Sequence, residues 1–335
     1  LYHDCQRNAY SVPLTRKMLK HFPNHYTIRT CARQIFYKIE LDLIKNLRYT
    51  IPDSKAQTTF FPIKQKEAIT MEKTYNGGIK LRVLDQEYDV YLDMALEMLE
   101  EIQRNNAAGK RTVMIIPCGP TGQYPIFATL ANRLKVSLKN VHFFNMDEYL
   151  VNDHERIADE HPMSFHGRMQ RDLYDRLDPA LGMTPAQRHF PEPGHEAEYD
   201  AEIAALGGAD LCLGGIGING HIAFNEPPEK GQEISAEEFA ALPTRVLPIT
   251  RETIVANGIG YQRGDLRGMP EWCITVGMKP ILASRRIYIA LSRDWQYGIT
   301  RRVLTGPVTS AIPCSLLQTH GNVTFASPKT IAQGL

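Results

Sequence analysis

Residues 209–221 read Ala-Asp-Leu-Cys-Leu-Gly-Gly-Ile-Gly-Ile-Asn-Gly-His, an apolar run that passes into a glycine-rich turn. The apolar run predicts a short buried strand, and the glycines let the backbone approach a bound ligand closely. His221 ends the turn, and Glu226 follows it by five residues. Open α/β sheets bind ligands at the carboxyl ends of their strands, so we expect both side chains in such a site.

An alternation of strands and helices extends to either side of this turn. Apolar runs predict strands, and apolar residues at helical spacing predict surface helices. The strands fall at residues 112–117, 141–145, 209–213, 272–276, 286–291 and 323–326, and the helices at 86–104, 164–177 and 296–304. Such alternation predicts an α/β fold with a doubly wound, mostly parallel sheet and Rossmann-like layering.

Charge divides the chain into two parts. Of the 335 residues, 43% are hydrophobic and 22% are charged, as in an ordinary globular protein. Residues 1–70 contain 12 Lys and Arg against 5 Asp and Glu, whereas residues 71–335 contain 26 against 32. We therefore predict a basic N-terminal extension, residues 1–70, of unknown role, and a regular domain, residues 71–335. The extension is either a packed helical segment or a poorly ordered leader.

Bulk properties exclude several classes of function. A net charge of +1 argues against a nucleic-acid partner, because neutralising phosphates requires a clustered basic surface. No apolar run reaches the roughly 18 to 20 residues of a membrane-spanning helix, so we expect no membrane partner. The six cysteines form no Cys-x-x-Cys pair and no histidine pair has zinc-binding spacing, so we expect no metal site and a cytoplasmic location.

The turn formally satisfies the dinucleotide-binding pattern GxGxxG at Gly215, Gly217 and Gly220. That pattern should open a helix and be followed about 20 residues later by a ribose-binding acid. Here Pro227 and Pro228 follow Glu226 and prevent a regular helix. The context therefore argues against a nucleotide site.

Two other turns carry polar groups at predicted strand ends. Residues 118–125, Cys-Gly-Pro-Thr-Gly-Gln-Tyr-Pro, lie between a strand and a helix, where free amides and the helix dipole attract anions. This turn is either a structural turn or an anion cradle. The adjacent acids Asp147 and Glu148 are either a solvated turn or, beside a histidine from another strand, the parts for moving protons on a small substrate.

Several of these segments, in this order, resemble the glucosamine-6-phosphate deaminase/isomerase family. The segments are Thr121-Gly122, Asn-Met-Asp-Glu-Tyr at 145–149, His-Pro-x-Ser at 161–164, the run from Gly214 to Pro227, and Ile-Thr-Val-Gly at 274–277. The resemblance covers roughly residues 80–330. The run His-Ile-Ala-Phe-Asn-Glu-Pro at 221–227 is its most specific part, because the related 6-phosphogluconolactonases share the glycine-rich turn but not this continuation.

The resemblance implies a cofactor-free enzyme that deaminates and isomerises an amino sugar phosphate, giving fructose 6-phosphate and ammonia from glucosamine 6-phosphate. It implies that Asp147 moves a proton between C2 and C1, and that His221 opens the sugar ring with Glu226 as its charged partner. Asn219 stands beside the histidine, where many members carry an Asp. The substrate-binding residues that we expect are Thr121, Gly122, Gln123, Gly217 and Arg293.

The residues at the positions where family members bind the substrate phosphate differ from the family pattern. Members use small residues after Thr-Gly together with an Arg and a Lys, whereas this chain has Gln123 and Tyr124 there. An ungapped alignment places Ile259 at the Arg position and Gln296 at the Lys position. Each lost charge-assisted hydrogen bond would cost roughly 1.5 to 3 kcal/mol unless another cation, such as Arg293, Arg301 or Arg302, replaced it.

Three functions remain open from the sequence. The first is the deaminase reaction on a phosphorylated amino sugar, the small-molecule substrate that we expect. The second is a related sugar isomerase or lactonase that acts on a different or unphosphorylated sugar, and the third is a non-catalytic sugar-binding regulatory module. The sequence leaves open whether the chain forms a homo-oligomer.

Overall fold

The computed structural model of the chain describes residues 71–335, and our predictions about residues 1–70 fall outside this part. The described chain contains 11 strands. They are β1 (Met71–Thr74), β2 (Lys80–Leu84), β3 (Thr112–Ile116), β4 (Val141–Asn145), β5 (Asp147–Leu150), β6 (Arg188–His189), β7 (Leu211–Gly214), β8 (Arg245–Pro248), β9 (Trp272–Thr275), β10 (Ile287–Ala290) and β11 (Val323–Pro328).

Helices connect most of the strands. They are α1 (Glu87–Ala107), α2 (Gln123–Leu134), α3 (Phe165–Asp172), α4 (Glu196–Ala205), α5 (Ala236–Ala240), α6 (Arg251–Tyr261), α7 (Met278–Leu282), α8 (Gln296–Thr305) and α9 (Lys329–Ala332). Short 3₁₀ segments lie at Asn76–Gly78, Tyr174–Arg176, Pro179–Leu181, Pro185–Gln187 and Pro313–Thr319.

Eight strands form one sheet in the order β1-β2-β11-β10-β7-β3-β4-β6. Only the pairing of β1 with β2 is antiparallel within this sheet, so the predicted doubly wound, mostly parallel sheet is confirmed. The strands after β3 continue towards β6, whereas β10 and β11 lie on the other side of β7. The loops that leave β3 and β7 therefore diverge, which opens a crevice at their carboxyl ends.

Helices cover both faces of this sheet. One apolar cluster joins α1, α2 and α3 to one face, and a second joins α4, α7 and α8 to the other. Within β3 the side chains alternate between them, since Met114 and Ile116 belong to the first cluster and Val113 and Ile115 to the second. A strand buried on both faces reads as a continuous apolar run, which explains why the sequence predicted it.

The second sheet is a difference from the prediction. Strands β5, β9 and β8 form a separate antiparallel sheet, in which Asp147 pairs with Thr275 and Thr275 pairs with Arg245. We expected β9 in the main sheet, because a short apolar run predicts a buried strand but does not show to which sheet the strand belongs. The helix expected at residues 164–177 is also shorter, since α3 ends at Asp172 and a 3₁₀ turn follows.

Candidate active site

Loops that follow four neighbouring strands, together with α6, enclose a cavity of about 200 Å³. Residues 119–122 come from the loop after β3, Asp147 from the residues after β4, and Gly217 and His221 from the turn after β7. Residues 292–296, after β10, contribute Arg293 and Gln296. The cavity therefore lies at the strand ends where the sequence predicted the site.

Asp147 is the buried acid of this cavity, with 6% of its surface exposed. Its Oδ1 is buried and has no hydrogen-bond partner among the described residues. Burial, and then the neighbouring charge of Glu148, raise the pKa of Asp147 to about 8, against a hydrogen bond from Cys118. A carboxylate held in this way is a strong proton acceptor, because its charged form is poorly solvated.

Glu148 has a different environment, although it is the next residue. Its two oxygens accept backbone hydrogen bonds from Tyr149 (2.8 Å), Phe165 (2.8 Å) and His166 (2.7 Å), and its Oε2 lies 3.3 Å from Ser164 Oγ. Burial raises its pKa to about 7 against these hydrogen bonds. Glu148 therefore satisfies the first amides of α3, and of the two acids only Asp147 lines the cavity.

The imidazole of His221 reaches the cavity because residue 217 is a glycine. A Cβ on Gly217 would lie 2.0 Å from His221 Nε2. Gly217 and His221 are also tied by a backbone hydrogen bond of 2.9 Å from the amide of Gly217 to the carbonyl of His221. Nε2 has no hydrogen-bond partner among residues 71–335, so this nitrogen is available to a substrate.

The other ring nitrogen of His221 is held by a polar network. Nδ1 lies 2.9 Å from Asn219 Oδ1, 3.2 Å from Glu226 Oε2 and 3.2 Å from Thr253 Oγ1. Asn219 Nδ2 donates to Glu226 Oε2 at 2.6 Å, and Thr250 Oγ1 donates to the same oxygen at 3.1 Å. These acceptors fix Nδ1 as the protonated nitrogen, which leaves Nε2 directed to the cavity.

Glu226 is charged in this network. Burial raises its pKa, but the attraction of His221 and hydrogen bonds from His221, Asn219 and Thr253 outweigh burial and lower it to about 2. The carboxylate therefore faces the imidazole as a fixed anion. The structure brings Asn219, His221 and Glu226 together, as the sequence predicted, and Asp147 lines the same cavity.

The loop at residues 119–122 forms another part of the cavity wall. Thr121 and Gly122 both line it, and Gly122 is the residue from which α2 begins. The ring of Tyr91 packs against Gly122, where a Cβ would lie 2.5 Å from Tyr91 Cδ2. The first amides of a helix have no partner within the helix and carry its positive dipole end, so this loop suits an anion.

The side chains of two glutamines, Gln123 and Gln296, hold the loops around the cavity in place. Gln123 is fully buried and does not line the cavity, because its Nε2 donates to the carbonyl of Pro120 at 2.7 Å. We expected the side chain of Gln123 to bind the substrate, and the structure instead places it outside the cavity lining. Gln296 lines the cavity, but its amide oxygen accepts from the backbone of Ser292 and Arg293 and its Nε2 donates to Ile216.

The cations considered for the phosphate end lie in different places. Arg293 lines the cavity. Arg301 and Arg302 are exposed on α8 and are not part of the lining. Ile259 is 66% exposed on α6, which turns Asn257 and Gly260 to the cavity instead. The alignment position of Ile259 therefore does not mark a cavity position in this structure.

Sequence reasoning missed several residues of this site. Thr250 and Thr253 contact the Glu226 and His221 network from the beginning of α6, and the rings of Tyr91, Tyr261 and Trp295 surround the cavity. The sequence of α6 contains no recognisable motif. Only its position after β8 could have suggested that it contributes to the site. No group of metal-binding side chains, and no helix long and apolar enough to cross a membrane, is found among residues 71–335.

Comparisons with known proteins show the family of the chain. No family model matches the chain. A glucosamine-6-phosphate deaminase of Halothermothrix orenii is 33% identical over 219 residues, which are 64% of this chain and 83% of the relative. One of Porphyromonas gingivalis is 31% identical over 248 residues, which are 71% of this chain and 87% of the relative.

The chain belongs to the glucosamine-6-phosphate deaminase family. The family resemblance and the prediction of an enzyme are therefore confirmed. Among solved structures, a monomeric glucosamine-6-phosphate deaminase matches with a TM-score of 0.65 and 24% identity over 75% of this chain and 98% of its own. A 6-phosphogluconolactonase of Trypanosoma cruzi matches with a TM-score of 0.57 and 16% identity over 79% and 98%. These structures show that the glucosamine-6-phosphate deaminase family and the lactonases share this fold.

Proposed function

We propose that the protein converts glucosamine 6-phosphate and water into fructose 6-phosphate and ammonia, without a cofactor. The observation that carries the proposal is the pair of groups in the cavity. Asp147 presents an oxygen with no partner among the described residues, and His221 presents Nε2. The similar enzymes of Halothermothrix orenii and Porphyromonas gingivalis carry the name of this reaction.

The first step opens the sugar ring. His221 Nε2 accepts the proton of the C1 hydroxyl, and the imidazolium so formed donates it to the ring oxygen as the bond between C1 and the ring oxygen breaks, which gives an open-chain aldehyde. The charged Glu226 and the amide oxygen of Asn219 hold Nδ1 of His221, and they stabilise the imidazolium that forms when Nε2 is protonated. A fixed carboxylate on Nδ1 orients the imidazole, so Nε2 is aimed at one atom of the substrate.

The second step moves a proton between two carbons. Asp147 removes the C2 proton, which gives an enol at C1 with the amine on C2, and returns a proton to C1. The product is an imine at C2, to which water adds before ammonia leaves. A carboxylate accepts a carbon-bound proton efficiently only when it is held in contact and kept from water, as the buried position of Asp147 provides.

We place the phosphate over residues 119–122, at the beginning of α2. Arg293 lines the cavity and forms no ion pair among the described residues. Gln296 supplies no charge there, because a carboxamide is neutral, and its amide is already bonded to three backbone groups. The compartment that we propose is the cytoplasm, since the four described cysteines are free thiols.

The test measures ammonia and fructose 6-phosphate together, with glucosamine 6-phosphate and glucosamine supplied in parallel. We expect equal amounts of both products from the phosphorylated sugar and far slower release from glucosamine. Preference for glucosamine would contradict the phosphate placement and support the unphosphorylated alternative. No ammonia from either sugar would contradict the reaction and favour the regulatory module.

A further inference from the structure

Tyrosine rings pack on both ends of the loop 119–122. A Cβ on Gly119 would lie 3.3 Å from Tyr261 Oη, and a Cβ on Gly122 would lie 2.5 Å from the ring of Tyr91. Both rings line the cavity. The loop that begins α2 is therefore bordered by an aromatic side chain at each end.

Two arginines lie near these rings. Arg293 lines the same cavity as Tyr91. The guanidinium carbon of Arg168 lies 4.8 Å from the ring centroid of Tyr261 and 5.9 Å from that of Phe165. Arg168 projects from α3 and is not itself part of the cavity lining, but Phe165 and Tyr261, the two rings beneath it, line the cavity.

Arg168 is half-buried and lacks an acidic partner. Among residues 71–335 its side chain forms no ion pair and no hydrogen bond. Glu148, which lies at the beginning of the same helix, is occupied by backbone amides instead. Partly desolvated arginines in folded proteins are normally paired, so five unused donors beside a cavity indicate an anionic ligand.

We propose that Arg168, carried on the ring of Tyr261, is the second cation that holds the anionic group of the substrate, at the Gly119 end of the loop. Arg293, which lines the cavity, is the first. The planar guanidinium suits a phosphate, because two of its N–H groups can bind two oxygens in parallel. The identity of the anion as the sugar phosphate rests on the function proposed above, whereas the anion-binding role does not.

This role makes Arg168 a specificity-determining residue. Its contribution should appear only with ligands that carry the anion. The loss of one charge-assisted hydrogen-bonding group is expected to weaken binding by about tenfold to a hundredfold. Sugars without a phosphate should bind equally well with or without the guanidinium.

The experiment compares Arg168→Gln with Arg171→Gln in the full chain. Arg171 lies on the same helix and is exposed, so its substitution makes the same change of net charge outside the cavity. The affinity for inorganic phosphate is measured by calorimetry, and KM is measured for glucosamine 6-phosphate and glucosamine. We expect Arg168→Gln to lose about tenfold or more for phosphate and the phosphorylated sugar, with Arg171→Gln unchanged.

Arg168→Lys separates binding from folding, because it keeps the charge and most of the apolar stem. We expect it to recover part of the phosphate affinity. Unchanged phosphate affinity in Arg168→Gln, or an equal loss with glucosamine, would overturn the proposal. If the wild-type protein released no ammonia, the proposed reaction would fail, and the phosphate titration would still decide the role of Arg168.

Discussion

Asp147 and Glu148 are neighbouring buried acids, and their different surroundings give them different roles. Glu148 accepts three backbone hydrogen bonds and a contact from Ser164, so its lone pairs are used by the fold. Asp147 keeps one buried oxygen without a partner among the described residues, and it lines the cavity. The unused oxygen is what makes Asp147 the acid to which we assign the proton transfer.

The raised pKa of Asp147 gives a prediction for pH dependence. Only the ionised carboxylate accepts the C2 proton, and the pKa of about 8 leaves most of the free enzyme protonated at neutral pH. We therefore expect kcat/KM to rise with pH through about pH 8. Measurement of kcat/KM from about pH 6 to about pH 9 checks this, and a profile that falls over this range would contradict the assignment.

The sequence pointed to several residues that line the cavity, but it did not give their environments. Asn219, His221 and Glu226 lie within one short run, so the motif placed them together. Nothing local distinguishes Asp147 from Glu148, because their difference arises from the first amides of α3, which begin at Phe165, 17 residues after Glu148. The same limit hid Arg168, whose aromatic neighbour Tyr261 is distant in the chain.

At the scale of an element, the turn after β7 aims the imidazole. A Cβ at residue 217 would clash with His221 Nε2, which lies 2.0 Å away. Gly217→Ala is therefore expected to displace the ring and lower kcat by about tenfold or more, since misplacing a reacting group by about 1 Å costs on the order of a hundredfold.

The control for this change is Gly298→Ala on α8, where a Cβ meets no atom within 4 Å. We expect this control to keep the wild-type kcat and, because alanine favours a helix over glycine, at least the wild-type stability. Equal kcat in Gly217→Ala and the wild type would show that the turn does not need a glycine there.

Helix α3 gives a second prediction at this scale. Glu148→Ala removes a fully buried carboxylate and leaves the amides of Phe165 and His166 without their acceptor. Each unsatisfied buried donor costs about 1 to 3 kcal/mol, so we expect the free energy of unfolding to fall by about 3 kcal/mol. Denaturant titration measures this, and a loss of activity without a loss of stability would instead give Glu148 a catalytic role.

The elements were predicted to different degrees. Strands β3, β4 and β10 were found from their apolar runs, since a strand buried on both faces needs apolar residues at each position. Strands β5 and β8 were missed because the first is Asp-Glu-Tyr-Leu and the second is only half-buried. Their pairing with β9 is set by tertiary contacts, which the local sequence pattern does not reveal.

At the scale of the whole molecule, both sheets and the cavity lie within residues 71–335. We propose that this part is the catalytic domain. A chain that begins at Met71 is expected to unfold cooperatively and to keep the kcat/KM of the full chain. Chemical denaturation and the ammonia assay check this, and an inactive shortened chain beside an active full chain would contradict it.

In the proposed reaction Asp147 is the base, and the cavity should still bind an anion when this base is removed. Asp147→Asn keeps the size of the side chain and removes its ability to accept the C2 proton. We predict that kcat for ammonia release falls by about a hundredfold to ten-thousandfold, while the affinity for inorganic phosphate stays that of the wild type. Turnover by Asp147→Asn at the wild-type rate would contradict the account.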